Sequence, residues 1–104
     1  MPELPFSSEE LARRLSRELA PRPDGIALSV SDPVLVEEAD RLVLRLQIAA
    51  RPTGEVWELR FPLDPVDLDL DPVAFVLVLR ANIEEWWDCK DAEPHVATWG
   101  HRIG

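Results

Sequence analysis

The chain has 104 residues, of which 46% are hydrophobic and 30% charged, a composition typical of one folded domain and too apolar for a disordered chain. The formal net charge of −9 opposes binding to the phosphate backbone of a nucleic acid, where lysine and arginine supply most of the affinity. One cysteine excludes an intrachain disulfide, and the sequence has neither a signal-peptide pattern nor an apolar run of about 20 residues, so we expect a cytoplasmic protein without membrane association.

The first predicted element is an amphipathic helix. Ser7 and Glu10 have the spacing of a capping box, and Phe6 precedes the cap as the first residue of a hydrophobic staple does. Pro21 is expected to end the helix, because proline cannot continue the backbone hydrogen-bond pattern. Between these signals, leucines recur every fourth residue and form one apolar stripe: Leu11, Leu15 and Leu19.

A region with the two-residue periodicity of β-strands follows. From Ile26 to Ser31, large apolar residues alternate with alanine and serine. Asp32-Pro33 interrupts this pattern, so Val34–Val36 is either a bent continuation of the strand or a separate short edge strand, where proline is tolerated. A turn at residues 38–40 leads into the next strand.

The next two strands are predicted to form a hairpin. In the register that pairs Ile48 with Trp57, the apolar faces of both strands lie on the same side of the sheet. That register also sets Arg45 opposite Arg60, which is a pair of like charges. A register slipped by two residues would pair Arg45 with Glu58 but needs a longer loop. Both registers keep one face of the hairpin apolar.

A second long helix is predicted from about residue 72 to residue 89. Asp71-Pro72 is a strong helix start, with aspartate as the cap and proline at the first helical position. Residues 73–79 are apolar on all sides, but the segment as a whole keeps one stripe at helical spacing. The stripe consists of Phe75, Val76, Leu79, Ile83 and Trp86.

The order of these elements is α-β-β-β-α. It predicts an α+β fold in which two helices pack on one face of an antiparallel meander of three to four strands. We expect a single domain over residues 1–104, whose C-terminal tail, residues 91–104, leaves room for a short strand at His95–Trp99.

The most acidic part of the chain is residues 64–71, which contain four aspartates and no basic residue. Leu68 and Leu70 alternate with three of the aspartates, a pattern that predicts an extended segment with leucines inward and carboxylates outward. A calcium-binding loop has acids at similar spacing, but its central glycine and distal glutamate are missing here. We therefore expect an acidic surface and no calcium site.

The sequence contains no recognisable catalytic or metal-binding motif. Cys89, His95 and His101 are residue types that bind zinc, yet structural zinc sites bring paired ligands at close spacing, which this chain lacks. A reactive thiol needs an electropositive setting, whereas Cys89 lies between Asp88 and Asp91. Nucleophile motifs, glycine-rich phosphate loops and metalloprotease motifs are also missing. We expect no metal, no cofactor and no enzymatic activity.

These observations predict a small acidic interaction module, of the accessory, regulatory or immunity type, that binds a basic protein. Tryptophan is enriched in interface hot spots, although Trp87 and Trp99 are equally well explained as anchors that hold the C-terminal tail. The expected binding surface comprises Asp64, Asp67, Asp69, Asp71, Glu84, Glu85, Trp87 and Trp99.

Two alternatives are compatible with the same sequence. The first is a homodimer, formed either through strand edges at residues 26–36 or through the very apolar second helix. The second is a small-ligand carrier with a pocket between helices and sheet, lined by Phe61, Phe75 and Trp57.

Overall fold

The computed structural model describes residues 4–19, 22–92 and 98–104 of the chain. In chain order, its elements are α1 (Ser8–Glu18), β1 (Ala27–Glu38), β2 (Arg41–Arg51), β3 (Val56–Leu63), α2 (Pro65–Leu68), α3 (Pro72–Cys89) and β4 (Gly100–Arg102). The four strands form an antiparallel sheet in the order β1-β2-β3-β4. The predicted α+β fold with an antiparallel meander is therefore confirmed.

The core lies between the helices and one face of the sheet. Alternate residues of the strands pack against the leucine stripe of α1 and against the predicted stripe of α3. All five residues of the α3 stripe are buried. Phe61 and Phe75 are each only 1% exposed within this core, so they fill the space in which a ligand pocket was envisaged. Among the described residues, no helix combines the length and apolar character that a membrane span requires.

The start of α1 follows the prediction only in part. The Ser7 side chain accepts a hydrogen bond from the backbone N–H of Glu10 at 3.2 Å, as an N-cap does. The Glu10 carboxylate does not complete a capping box, because it accepts a hydrogen bond from Nε of Arg14 at 2.7 Å and also binds Arg13.

Strand β1 is one continuous strand with a bulge, which is the first of the two predicted possibilities. Its pairing with β2 shifts register between Ser31 and Val34, and Asp32 has a φ of +51°. Pro33 is tolerated because β1 lies at the edge of the sheet. The hydroxyl groups of Ser8 and Ser16, both on α1, bind backbone groups of this edge.

The hairpin of β2 and β3 has the first of the two registers that the sequence left open. Ile48 lies opposite Trp57, and Arg45 lies opposite Arg60. The like-charge pair is tolerated on the surface, where Arg60 forms an ion pair with Glu38 of β1.

The C-terminal strand lies later in the chain than predicted. It spans Gly100–Arg102, while Thr98 and Trp99 form a turn and residues 95–97 lie outside the described residues. Gly100 lies opposite Leu59, and a Cβ on Gly100 would lie 2.9 Å from Nε1 of Trp86. Glycine therefore permits the close approach of β4 to the core at this point.

Candidate functional site

The acidic residues 64–71 do not form the extended segment that was predicted. They form the one-turn helix α2 and the start of α3. The Asp67 carboxylate accepts a hydrogen bond from the backbone N–H of Asp64 at 3.0 Å, and the Asp71 carboxylate accepts one from Val73 at 2.9 Å. The dipeptides Asp64-Pro65 and Asp71-Pro72 explain this, because each combines a cap residue with proline at the first helical position.

The division into inward leucines and outward acids is nevertheless correct. Leu68 and Leu70 are half-buried and pack against the core. Asp64, Asp69 and Asp71 are exposed. Within the described parts of the chain, no arginine or lysine lies within ion-pair distance of these three carboxylates or of Asp67.

The side of α3 that faces away from the sheet carries exposed apolar residues. Val73 is 61% exposed and Leu77 is 47% exposed, and Val78 and Ala81 are also exposed. Val73, Leu77 and Ala81 follow one another at intervals of four residues, so their side chains are neighbours on the helix surface. We call Val73, Leu77, Val78 and Ala81 the apolar strip.

A shallow groove of about 170 Å³ runs along the apolar strip between α1 and α3. Its α3 wall is apolar and its α1 wall is charged. The residues that line it are Arg14, Arg17, Glu18, Val73, Val76 and Leu77. No sequence motif indicated this groove, because the packing angle of two distant helices creates it.

The acidic residues near the end of α3 differ in whether their carboxylates pair with an arginine. The Glu84 carboxylate accepts a hydrogen bond from Nε of Arg80 at 3.3 Å, and Asp88 forms an ion pair with Arg22. Glu85 is exposed, and no cation of the described residues lies within ion-pair distance of it. Of this group, Glu85 is the residue whose charge is available to a partner.

Both tryptophans of the predicted site pack against the protein. The Trp87 ring lies edge-on to Trp86, with a centroid distance of 5.8 Å. The Trp99 ring lies edge-on to Phe61 at 5.5 Å, and the Trp99 carbonyl accepts a hydrogen bond from the N–H of Arg60 at 2.7 Å. Both side chains are half-buried, and the ring contacts of both are with residues of this chain.

The eight predicted site residues therefore do not form one compact cluster. Asp71 and Glu85 are fourteen positions apart on one helix, a separation of about 21 Å at 1.5 Å per residue. The apolar strip lies between them. The structure thus contains two acidic ends joined by an apolar helix face, and this arrangement was not predicted.

Besides Arg17 of α1, three arginines of β2 form no ion pair with another described residue. Arg41, Arg45 and Arg51 occupy alternate positions of β2 that point away from the core, and they form no ion pair with another described residue. Arg45 and Arg51 lie on the side of the sheet opposite the apolar strip, whereas Arg41 lines a cleft together with Asp64.

The remaining clefts and metal-ligating residue types of the described residues are as follows. A cleft of about 290 Å³ opens between the β1–β2 turn and α2 and is lined in part by Asp40, Arg41 and Asp64. Among the described residues, no three histidine, cysteine, aspartate or glutamate side chains are arranged to hold a metal ion. His95 lies outside the described residues, and His101 is exposed on β4.

Comparisons of the chain with protein-family models, with curated proteins and with solved structures found no match.

Proposed function

We propose that this protein is a non-catalytic interaction module that docks a basic protein on the outer face of α3. The observation that supports this most directly is the apolar strip, in which Val73 and Leu77 are 61% and 47% exposed. Contiguous exposed apolar side chains with a polar rim are typical of protein-interaction sites. A small accessory, regulatory or immunity protein of the cytoplasm would use such a surface.

The charge around the strip supports a basic partner. Carboxylates that form no ion pair with another described residue border the strip at both ends: Asp64, Asp67, Asp69 and Asp71 on one side and Glu85 on the other. Such carboxylates attract a positively charged surface, orient it during the encounter and repel acidic competitors.

The same charges disfavour a homodimer through α3. If two α3 helices paired in parallel, each acidic end would face the same acidic end of the other copy. If they paired antiparallel, Asp71 of one copy would face Glu85 of the other. Both arrangements bring like charges together. Pairing through the edge of β1 is also disfavoured, because the hydroxyl groups of Ser8 and Ser16 already bind that edge.

Site-specific photo-crosslinking in the native host tests this proposal. A photoreactive residue replaces either Leu77 on the strip or Ile103 beyond β4, which are both 47% exposed and so form a matched pair. We expect a crosslink to one defined heterologous protein from position 77 and not from position 103. Identification of that protein by mass spectrometry then permits reconstitution with purified components.

Charge variants make the test specific. Glu85→Lys should abolish the crosslink from position 77, whereas Glu37→Lys should preserve it, because Glu37 is an equally exposed acid on β1. Identical crosslinks from positions 77 and 103 would contradict the proposal, as would no crosslink from either position. A crosslinked product made of two copies of this chain would favour the homodimer instead.

A further inference from the structure

We infer that the docked segment of the partner is an amphipathic α-helix of about four turns with basic residues at both ends; this inference rests on the proposed function. The acidic ends of the surface, at Asp71 and Glu85, are separated by about 21 Å, which is the length of a helix of about fourteen residues. A partner helix of this length places one basic end over each acidic end.

The shape of the surface favours a helix. The side chains of Val73, Leu77 and Ala81 form a ridge along α3, and ridges of this kind pack into the grooves of another helix. A partner that added a β-strand would need a free sheet edge. The edge of β1 is covered in part by Ser8 and Ser16 of α1, and the opposite edge strand, β4, has only three residues.

The volume of the groove between α1 and α3 limits the size of the apolar side chain that the partner helix inserts there. Its volume of about 170 Å³ is below the range of about 300–1,000 Å³ that is usual for small-molecule pockets. It therefore suits one large aliphatic side chain of a partner helix, inserted between Leu77 and Arg17. A second apolar side chain of the partner, one turn away, would lie over Ala81.

The charges along the groove predict where the partner is basic and where it is not. Arg17 lines the groove beside Leu77 and has no ion-pair partner among the described residues. A basic residue at the centre of the partner helix would be repelled by it. Basic residues at the two ends would instead meet Asp71 and Glu85, so we expect a partner with an uncharged or acidic centre.

Binding of synthetic peptides to the intact protein tests the inference. The first peptide has about eighteen residues, leucines at i, i+4 and i+7, and lysine or arginine at both ends. The second keeps the leucines and carries glutamate at both ends, and the third keeps the basic ends and replaces the leucines by serine. Fluorescence anisotropy should show binding of the first peptide that is at least about tenfold tighter than binding of the other two.

Variants of the protein show where on its surface the first peptide binds. Leu77→Glu should weaken binding of the first peptide at least about tenfold, whereas the matched variant Ile103→Glu should have little effect. The affinity should also fall as the salt concentration rises, because exposed charges are screened. Equal affinity for the basic-ended and acidic-ended peptides would overturn the inference, as would equal loss in the two variants.

The two proposals fail in different ways. If position 77 crosslinks to a host protein through a segment that is not helical, the docking function stands and the helical partner is wrong. If the basic peptide binds at Leu77 but no host protein crosslinks there, the surface accepts a helix while the docking function is contradicted.

Discussion

The hydroxyl group of Ser16 forms two hydrogen bonds with the backbone of Val30: it accepts one from the N–H at 2.9 Å and donates one to the carbonyl oxygen at 3.3 Å. Ser16 lies on α1, and Val30 lies on the edge strand β1. An edge strand with unpaired backbone groups is a template for pairing with another chain. A helix side chain therefore protects the sheet at this position.

We expect Ser16→Ala to lower the free energy of unfolding by about 1–3 kcal/mol, because it removes the partner of both Val30 groups. Alanine is the better helix former by up to roughly 0.7 kcal/mol, so helix propensity alone would change stability in the opposite direction. Urea unfolding followed by tryptophan fluorescence gives the difference. Amide hydrogen exchange at Val30 should also accelerate, and unchanged exchange with unchanged stability would refute the role of these bonds.

The turn between β1 and β2 should be improved by glycine. Its two residues, Ala39 and Asp40, have positive φ angles of 48° and 64°. Two-residue hairpin turns often need positive φ at both positions, where a Cβ atom costs roughly 1–2 kcal/mol. We expect Ala39→Gly to raise the free energy of unfolding by about 1 kcal/mol. Ala81→Gly, within α3, is the control and should lower it by about 1 kcal/mol; a lower melting temperature for Ala39→Gly would contradict the expectation.

Lys90 should stabilise the junction between α3 and β3 through its charge. Its Nζ lies 4.7 Å from the centroid of the Trp87 ring and 5.1 Å from that of Trp57. We expect Lys90→Met, which keeps an unbranched side chain and removes the charge, to lower the free energy of unfolding by about 1–2 kcal/mol. Lys90→Arg should retain most of the stability, and equal stability of the two variants in urea would exclude a cation–π contribution.

The neighbouring ion pair provides the control for this measurement. Lys90 donates a hydrogen bond to Asp91 at 3.1 Å, but Asp91 is exposed. Exposed ion pairs contribute little, so Asp91→Asn should change the free energy of unfolding by less than about 1 kcal/mol.

Acid should destabilise the protein in part through Glu10. The hydrogen bond from Arg14 lowers the pKa of Glu10 below its ordinary value of 4.5, and the charge of Arg13 acts in the same direction. Since the pKa is lower in the folded than in the unfolded chain, the stabilising contribution is complete above the unfolded pKa. It is lost as the pH falls through the folded pKa.

The free energy of unfolding, measured in urea between about pH 6 and pH 3, should therefore fall less steeply for Glu10→Gln than for the unaltered protein. Glu9→Gln is a matched control on the same helix, because Glu9 forms no ion pair with another described residue. Parallel pH profiles for Glu10→Gln and the unaltered protein would contradict the assigned role of Glu10.

The side-chain pattern predicted which face of the β2–β3 hairpin is apolar and left two registers for the hairpin. Pairing Ile48 with Trp57 keeps the apolar residues on one face, whereas a slip of one residue would turn them to solvent. The range of α3 was predictable for a similar reason, because Asp71-Pro72 marks its start and the buried stripe has helical spacing.

The candidate site was predicted only in its acidic parts. The exposed aspartates of residues 64–71 and Glu85 are where the sequence pattern indicated. Trp87 and Trp99 had two equally good interpretations, because an aromatic side chain suits both a core and an interface. The sequence did not predict the contacts of their rings with Trp86 and Phe61.

Local pattern alone thus determined α1, α3, the strands β2 and β3 and the acidic character of residues 64–71, because capping and periodicity act between residues close in the chain. Tertiary structure alone decided how far the rest of the protein covers the other side of α3, and hence that Val73 and Leu77 are 61% and 47% exposed. It also decided that α1 protects the edge of β1 through Ser16. These outcomes depend on packing between elements that are distant in sequence, where the residue pattern permits several arrangements and the shared core selects one.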